Sequence, residues 1–334
     1  MGADREGGNM LGIQPHMRLA DYATEQRFRA KIAGYLAAAR ERGWVGSRTV
    51  VVLPEYLGTW LVAAGEPPGL FAERRLGRAM GRLALRHAGA FALAAQRSRA
   101  RDRARAALFQ VKGAAMAASY GRVFAGLARE FGATIVAGSI VLPAPTIAGG
   151  ALAAGKGELR NVAAVFRPDG SLHERLARKR FLTEAEQPFI TPDLSGEPAV
   201  FDTPAGRLAV LVCADAFYPA SYAALAGRSV ELLAVPSYLE KGGIWNRPWP
   251  GYNGAPPPAD VDPHDPGAIS ERAAWLKYGM AGRMAAAGIP NGLNVFLRGD
   301  ILDLGSDGAT IAVRAGTIAE ARYVAGATLL NLWL

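Results

Sequence analysis

Short apolar runs that stop abruptly at a small or polar residue recur along this chain, and helical stretches separate the first of them. Thr49-Val-Val-Val-Leu53 stops at Pro54-Glu55, Arg207-Leu-Ala-Val-Leu-Val212 at Cys213, and Glu231-Leu-Leu-Ala-Val-Pro236 at Ser237. Runs of this length and composition read as buried strands. Further strands are expected at Asn9–Gln14, Thr134–Val141, Asn161–Phe166, Ala199–Phe201, Leu293–Leu297 and Thr310–Val313. Helices are expected over about 22–42, where Phe28, Ile32, Tyr35 and Leu36 share a face, and over 119–131, 219–225 and 270–287. Residues 66–118, rich in Ala and Arg with interleaved Leu, Phe and Met, also read as helical. Gly149–Gly157 reads as a flexible turn, Pro168-Asp-Gly-Ser171 as a hairpin turn, and the Pro-, Gly- and Trp-rich 242–267 as a structured surface loop. Strands alternate with helices early and pair as hairpins later, which is an α/β chain with a mixed sheet. No internal repeat appears, and a single domain over 1–334 is expected.

Cys213 is the only cysteine, so no internal disulfide can form, which fits a reducing cytoplasm. The N-terminal residues lack a basic-then-apolar leader pattern, and no apolar stretch is long enough to span a bilayer. The expectation is a cytoplasmic protein. The net charge of +9 is uneven. Between Arg74 and Arg105 stand ten arginines and one acid, Asp102. That excess suits an anionic surface or an acidic face of another subunit. Without interleaved aromatics, nucleic acid is a poor fit. The four histidines are dispersed, and the cluster Asp260, Asp262, His264 and Asp265 sits in a Pro-rich loop. Neither a metal nor a cofactor is expected, and no Gly-rich phosphate loop is present.

A lone cysteine is usually a small buried hydrophobe. Glu55 alone could be an acid at a helix start, and Lys179 between Arg178 and Arg180 a solvated patch. In combination they read differently. Leu53-Pro-Glu55-Tyr56, Arg178-Lys179-Arg-Phe-Leu182 and Val210-Leu-Val-Cys213-Ala-Asp215, in this order, resemble the nitrilase (carbon–nitrogen hydrolase) superfamily. Asn161–Gly170, Phe201–Arg207 and Leu233–Ser237 fit as flanks. The resemblance covers most of 9–313 and is weakest over 66–118.

That resemblance implies a four-layer α-β-β-α sandwich, here with an Arg/Ala-rich helical insertion at 66–118, and assembly into homodimers or larger homo-oligomers. It also implies a Glu55-Lys179-Cys213 triad. Glu55 would be the general base, Lys179 the cation favouring thiolate and oxyanion, and the Ala214 N–H a second oxyanion donor. Glu186 best matches the amidase branch's second glutamate, with Glu184 as fallback. Tyr56 and Trp60 would wall the pocket or belong to the core. Asp215 would fix the turn by local hydrogen bonds, and Ser237 would line the pocket or cap its strand. Two features depart from the family: Ala220 stands where glutamate is common, and Glu55 and Gly138 are unusually far apart, the Arg-rich helices filling the gap. Ala214-Asp215 after the cysteine looks amidase-like, whereas nitrile-splitting members usually carry Trp-Glu. The expected reaction is hydrolysis of a non-peptide amide or carbamoyl amine. A nitrilase, an acyltransferase and a non-catalytic scaffold or anionic-surface binder are the alternatives.

Overall fold

In the computed structural model, residues 7–334 are described; the leader reading rests partly on 1–6, which lie outside them. Two six-stranded mixed sheets stack face to face. The first runs, edge to edge, Thr328–Trp333, Asn9–Gln14, Thr49–Val52, Thr134–Ala148, Ala151–Phe166, Ala177–Arg178. The second runs Thr317–Glu320, Ile311–Arg314, Asn291–Phe296, Leu232–Ser237, Gly206–Val210, Val200–Thr203. At the centre of each sheet three strands are parallel, and the outer pairings are antiparallel.

Strand alternation divides the core in two. Met10, Val50, Val52, Val136, Ala163 and Val165 point toward the second sheet, whose facing residues by register are Leu208, Val210, Leu232, Ala234 and Leu293. Their neighbours Leu11, Ile13, Val51, Leu53, Ile135 and Ile140 face outward onto helices. Helix Glu25–Glu41 begins where the Thr24 hydroxyl accepts from Arg27 N, 3.1 Å, and buries Phe28, Ile32, Leu36 and Ala39 at helical spacing. The helical segments of 271–287 cover the second sheet through Ala274, Trp275, Met280 and Met284. The order is helix, sheet, sheet, helix, as expected.

Several boundaries differ from the sequence reading. Residues 103–131 form one 29-residue helix, capped at Asp102 and closely seated on the first sheet. A Cβ on its Gly113 would stand 2.6 Å from Pro143 Cδ, so only glycine permits that approach. The turn expected at 149–157 is confined to Gly149-Gly150, because 151–160 continue a long hairpin arm. The helix expected over 270–287 is broken at Gly279 into Glu271–Tyr278, Met280–Arg283 and a 3-10 turn, Met284–Ala287. Strands Thr317–Glu320 and Thr328–Trp333 were not anticipated. The Arg/Ala-rich stretch forms helices Pro68–Phe71, Leu76–Arg86 and Ala88–Arg97 before the long one. Among the described residues no helix is long and apolar enough to cross a membrane.

Candidate active site

The three marked segments converge. Glu55 follows the strand Thr49–Val52, Lys179 follows the short edge strand Ala177–Arg178, and Cys213 opens the 3-10 turn Cys213–Phe217 after Gly206–Val210. All three are buried and line one cavity. Two backbones there are strained: Tyr56 has φ 60° and Cys213 φ 51°, a region non-glycine residues seldom adopt. Each is held in place. Ser139 Oγ accepts from Tyr56 N at 2.9 Å. Gly138, φ 70°, lies so close to Pro54 that a Cβ would be 2.2 Å from its carbonyl oxygen. After Cys213, one Asp215 oxygen accepts from Arg180 N (3.0 Å) and Phe181 N (2.8 Å), the other from Val212 N (3.3 Å). A single carboxylate thus ties the lysine segment to the cysteine turn.

Lys179 Nζ sits between two carboxylates, 2.7 Å from Glu55 Oε1 and 2.8 Å from Glu186 Oε2. Asn161 Nδ2 donates to Glu55 Oε1 at 2.9 Å and reaches Glu186 Oε1 at 3.4 Å. Glu186 is further fixed by Thr183 N (2.9 Å), Thr183 Oγ1 (3.1 Å) and the Tyr56 hydroxyl. Glu184, the fallback, is exposed at its backbone contact with Asn253.

Two buried acids sharing one ammonium cannot ionise equally easily, and their surroundings separate them. Burial raises the Glu55 pKa to about 7 against the pull of Lys179, with the Glu186 charge adding to the rise. Burial acts on Glu186 too, but Lys179, Tyr56 and Thr183 hold it below the ordinary carboxylate value. Burial disfavours the Lys179 ammonium, yet Glu186 and Glu55 keep its pKa well above that of a free lysine. Burial and the Glu55 charge push the Cys213 thiol well up, Lys179 opposing. At rest the sulfur is therefore a thiol, and it faces the Tyr238 carbonyl, 3.7 Å away. The site favours a cation at Lys179, an anion at Glu186, and a proton shared between the Glu55 carboxyl and the Cys213 thiol.

Of the other expected residues, Ala214, Tyr56 and Trp60 line the cavity. Asp215 and Ser237 do not; Ser237 is fully buried and accepts from Asn294 Nδ2 at 2.6 Å. Sequence reasoning missed Asn161 and Tyr238 as site residues. An amide within the run Asn161-Val-Ala-Ala-Val165 was the available signal for the first. Asp260 and Asp265, in the loop considered for metal, pair with Arg283 and Lys277.

The family model for carbon–nitrogen hydrolases matches residues 12–253. No curated protein sequence matches. Among solved structures, the chain is similar to an amidase from Nesterenkonia sp. AN1 in several forms. A cysteine-to-serine mutant, described as from the nitrilase superfamily, superposes with a TM-score of 0.59 at 17% identity, covering 100% of this chain and 93% of that one. A mutant showing Michael addition of acrylamide at its active-site cysteine gives 0.56 at 16%, covering 98% and 93%. A butyramide complex gives 0.58 at 16%, covering 99% and 93%. At such identities the likeness establishes the fold.

Proposed function

Because this chain belongs to the carbon–nitrogen hydrolase family, we propose that it hydrolyses a non-peptide amide through a thioester on Cys213. The observation that carries this reading is the buried Lys179 ammonium bridging Glu55 and Glu186 beside the only thiol. Cys213 Sγ attacks the substrate carbonyl carbon while its proton passes to Glu55, which accepts protons near neutral pH. The developing oxyanion meets the Lys179 ammonium and the Ala214 N–H, each such donor worth about 3–4 kcal/mol of barrier. Glu55 then protonates the nitrogen as the C–N bond breaks, and ammonia or an amine leaves. Water adds to the thioester, giving its proton to Glu55; the C–S bond breaks, the acid departs, and Glu55 returns the proton to sulfur.

Glu186 is a positioning residue in this scheme. It stays ionised, anchors Lys179 and prevents that lysine from neutralising Glu55 outright. Asn161 orients the Glu55 carboxylate. Ala214-Asp215 after the nucleophile favours amides over nitriles.

The test is ammonia release from a panel of amides, carbamoyl amines and nitriles, with Cys213→Ala as control. Turnover of amides or carbamoyl amines, abolished by the substitution, is expected. Turnover of nitriles alone would make the protein a nitrilase. No turnover, together with a thiol inert to iodoacetamide, would make it a non-catalytic scaffold.

The helices over 76–97 also support contact with an anionic surface: Leu85 is 79% and Leu93 46% exposed, amid exposed arginines. Salt-sensitive binding to anionic vesicles, lost on Arg-to-Ala changes at 74–86, would support it; salt-insensitive or absent binding would dismiss it.

A further inference from the structure

The cavity that contains the triad is about 840 Å³, near the upper end of the range that encloses drug-sized ligands. An amide of two to four carbons would occupy a small part of it. Much of the remaining wall is apolar. One side comes from the Arg/Ala-rich helices and the segment before them, through Trp60, Leu70, Leu76, Met80, Leu83 and Phe109; the other comes from residues 239–253, Trp275 and the loop holding Leu302 and Leu304. In helix Leu76–Arg86 the lining side chains fall at positions 76, 79, 80 and 83, one face of the helix, while Arg78 stands on the opposite one and Arg82 and Arg86 flank the stripe. Charged Glu240, Lys241 and Arg247 also line the cavity, but they are exposed and so mark its mouth.

This wall is built in and does not hang free. Glu66, whose carboxylate is buried, pairs with Arg86, His87 and Lys112, drawing two helices onto one anchor. Leu76 N donates to Asp303 Oδ1 at 2.8 Å, fastening the helix to the loop that supplies Leu302 and Leu304 to the same cavity. Asp102 N donates to Pro188 O at 2.8 Å, and Phe109 stacks on Phe189 with centroids 6.1 Å apart. These contacts seat the helices against the loop that carries Glu186. Apolar side chains around an open space that no described residue fills suit an apolar guest, whose burial would compensate their exposure.

We propose that the substrate carries an extended apolar chain next to its scissile amide, and that this chain occupies the chamber walled on one side by the 60–109 helices. The proposal rests on the amide-hydrolase reading and specifies its substrate class. The chain's position on the acyl or the amine side of the C–N bond is decided by two substrate series, primary amides from acetamide to dodecanamide and N-alkyl acetamides of the same lengths.

In at least one series, kcat/KM rises by about fourfold per methylene, the value expected for full transfer of each from water. It then levels off once the chamber is filled. Met80→Trp narrows the chamber, moves that plateau to shorter chains and lowers kcat/KM for the longest substrate by more than tenfold. Arg78→Gln, on the outer face, keeps the wild-type profile. Calorimetric titration of the same amides into Cys213→Ala reads binding without turnover, so a failure of catalysis and a failure of the chamber are told apart. Amides turned over with no dependence on chain length would leave the hydrolase reading intact and overturn the chamber. Chain-dependent binding with no turnover in the wild type would do the reverse. Should Met80→Trp fail to fold, the wild-type series and the titration decide alone.

Discussion

Replacing Glu186 by Gln removes one buried negative charge while leaving an amide of the same shape for Thr183 and Tyr56 to contact. The two carboxylates share the Lys179 ammonium, so their charges lie close together. At a separation of about 5 Å and an effective dielectric of about 20, their repulsion is about 3 kcal/mol, or roughly two pH units on Glu55. The sign follows from the charge removed. Glu186 raises the Glu55 pKa and opposes the thiolate, so its loss lets the carboxyl–thiol pair give up its first proton at lower pH. Wild-type alkylation by iodoacetamide should gain its reactive, singly charged form around pH 7, and Glu186→Gln should reach it one to two units lower. Alkylation does not require turnover, so it reports on the pair even where the substitution impairs hydrolysis. The acid limb of kcat/KM should move the same way in whatever activity survives. A midpoint that stays put or rises, in a variant with native circular dichroism, would refute the shared-ammonium account of the site.

Other substitutions probe the scaffold. Asp215→Asn leaves one of three backbone donors facing an amide nitrogen and should cost about 1–3 kcal/mol in chemical unfolding; an unchanged midpoint would mean the turn is held by other contacts. Gly138→Ala drives a methyl into the Pro54 carbonyl at positive φ and should cost about 2–3 kcal/mol, with loss of activity from the displaced Glu55. Glu271 is a buried carboxyl whose side chain accepts from Trp275 Nε1 at 3.0 Å, and burial raises its pKa to about 7. The folded state therefore binds its proton more tightly than the unfolded chain does. The resulting stability is present below about pH 4.5 and is lost as pH rises toward 7. Glu271→Gln should be more stable than wild type by about 1–3 kcal/mol at pH 8, and the two should converge near pH 4.5; equal stability at pH 8 would show the acid to be well solvated.

Glu55 and Cys213 were legible because each closes an apolar run, and a strand end is where a sheet exposes a side chain; Lys179, between two arginines, was legible only through the resemblance of its segment to the family motif. Glu186 was legible only as the best match to the second glutamate that the amidase branch carries a few residues past its lysine. Asn161 was hidden because, inside a strand, one amide among small apolar residues looks like packing; its role depends on the neighbouring strand bringing Lys179 alongside. The strand Thr328–Trp333 was missed for a similar reason. Its partner is Asn9–Gln14, at the far end of the chain, and no local pattern announces so distant a pairing. The break at Gly279 was equally silent: the spacing continues through it, while a Cβ there would stand 2.5 Å from the Trp275 carbonyl oxygen. The helical character of 66–118 was evident from composition, but its relation to the site came only with the third dimension.

On the proposed reading, reactivity and selection are inscribed on separate stretches of this polypeptide. The groups around the sulfur belong to the paired sheets and the tight turns leaving them, where a small displacement is felt by strained backbone on both sides. One side of the chamber rides on amphipathic helices, where one apolar residue can replace another without disturbing that framework. Descendants of such a gene could change what they accept at positions 76, 80 and 83 while inheriting the same chemistry intact.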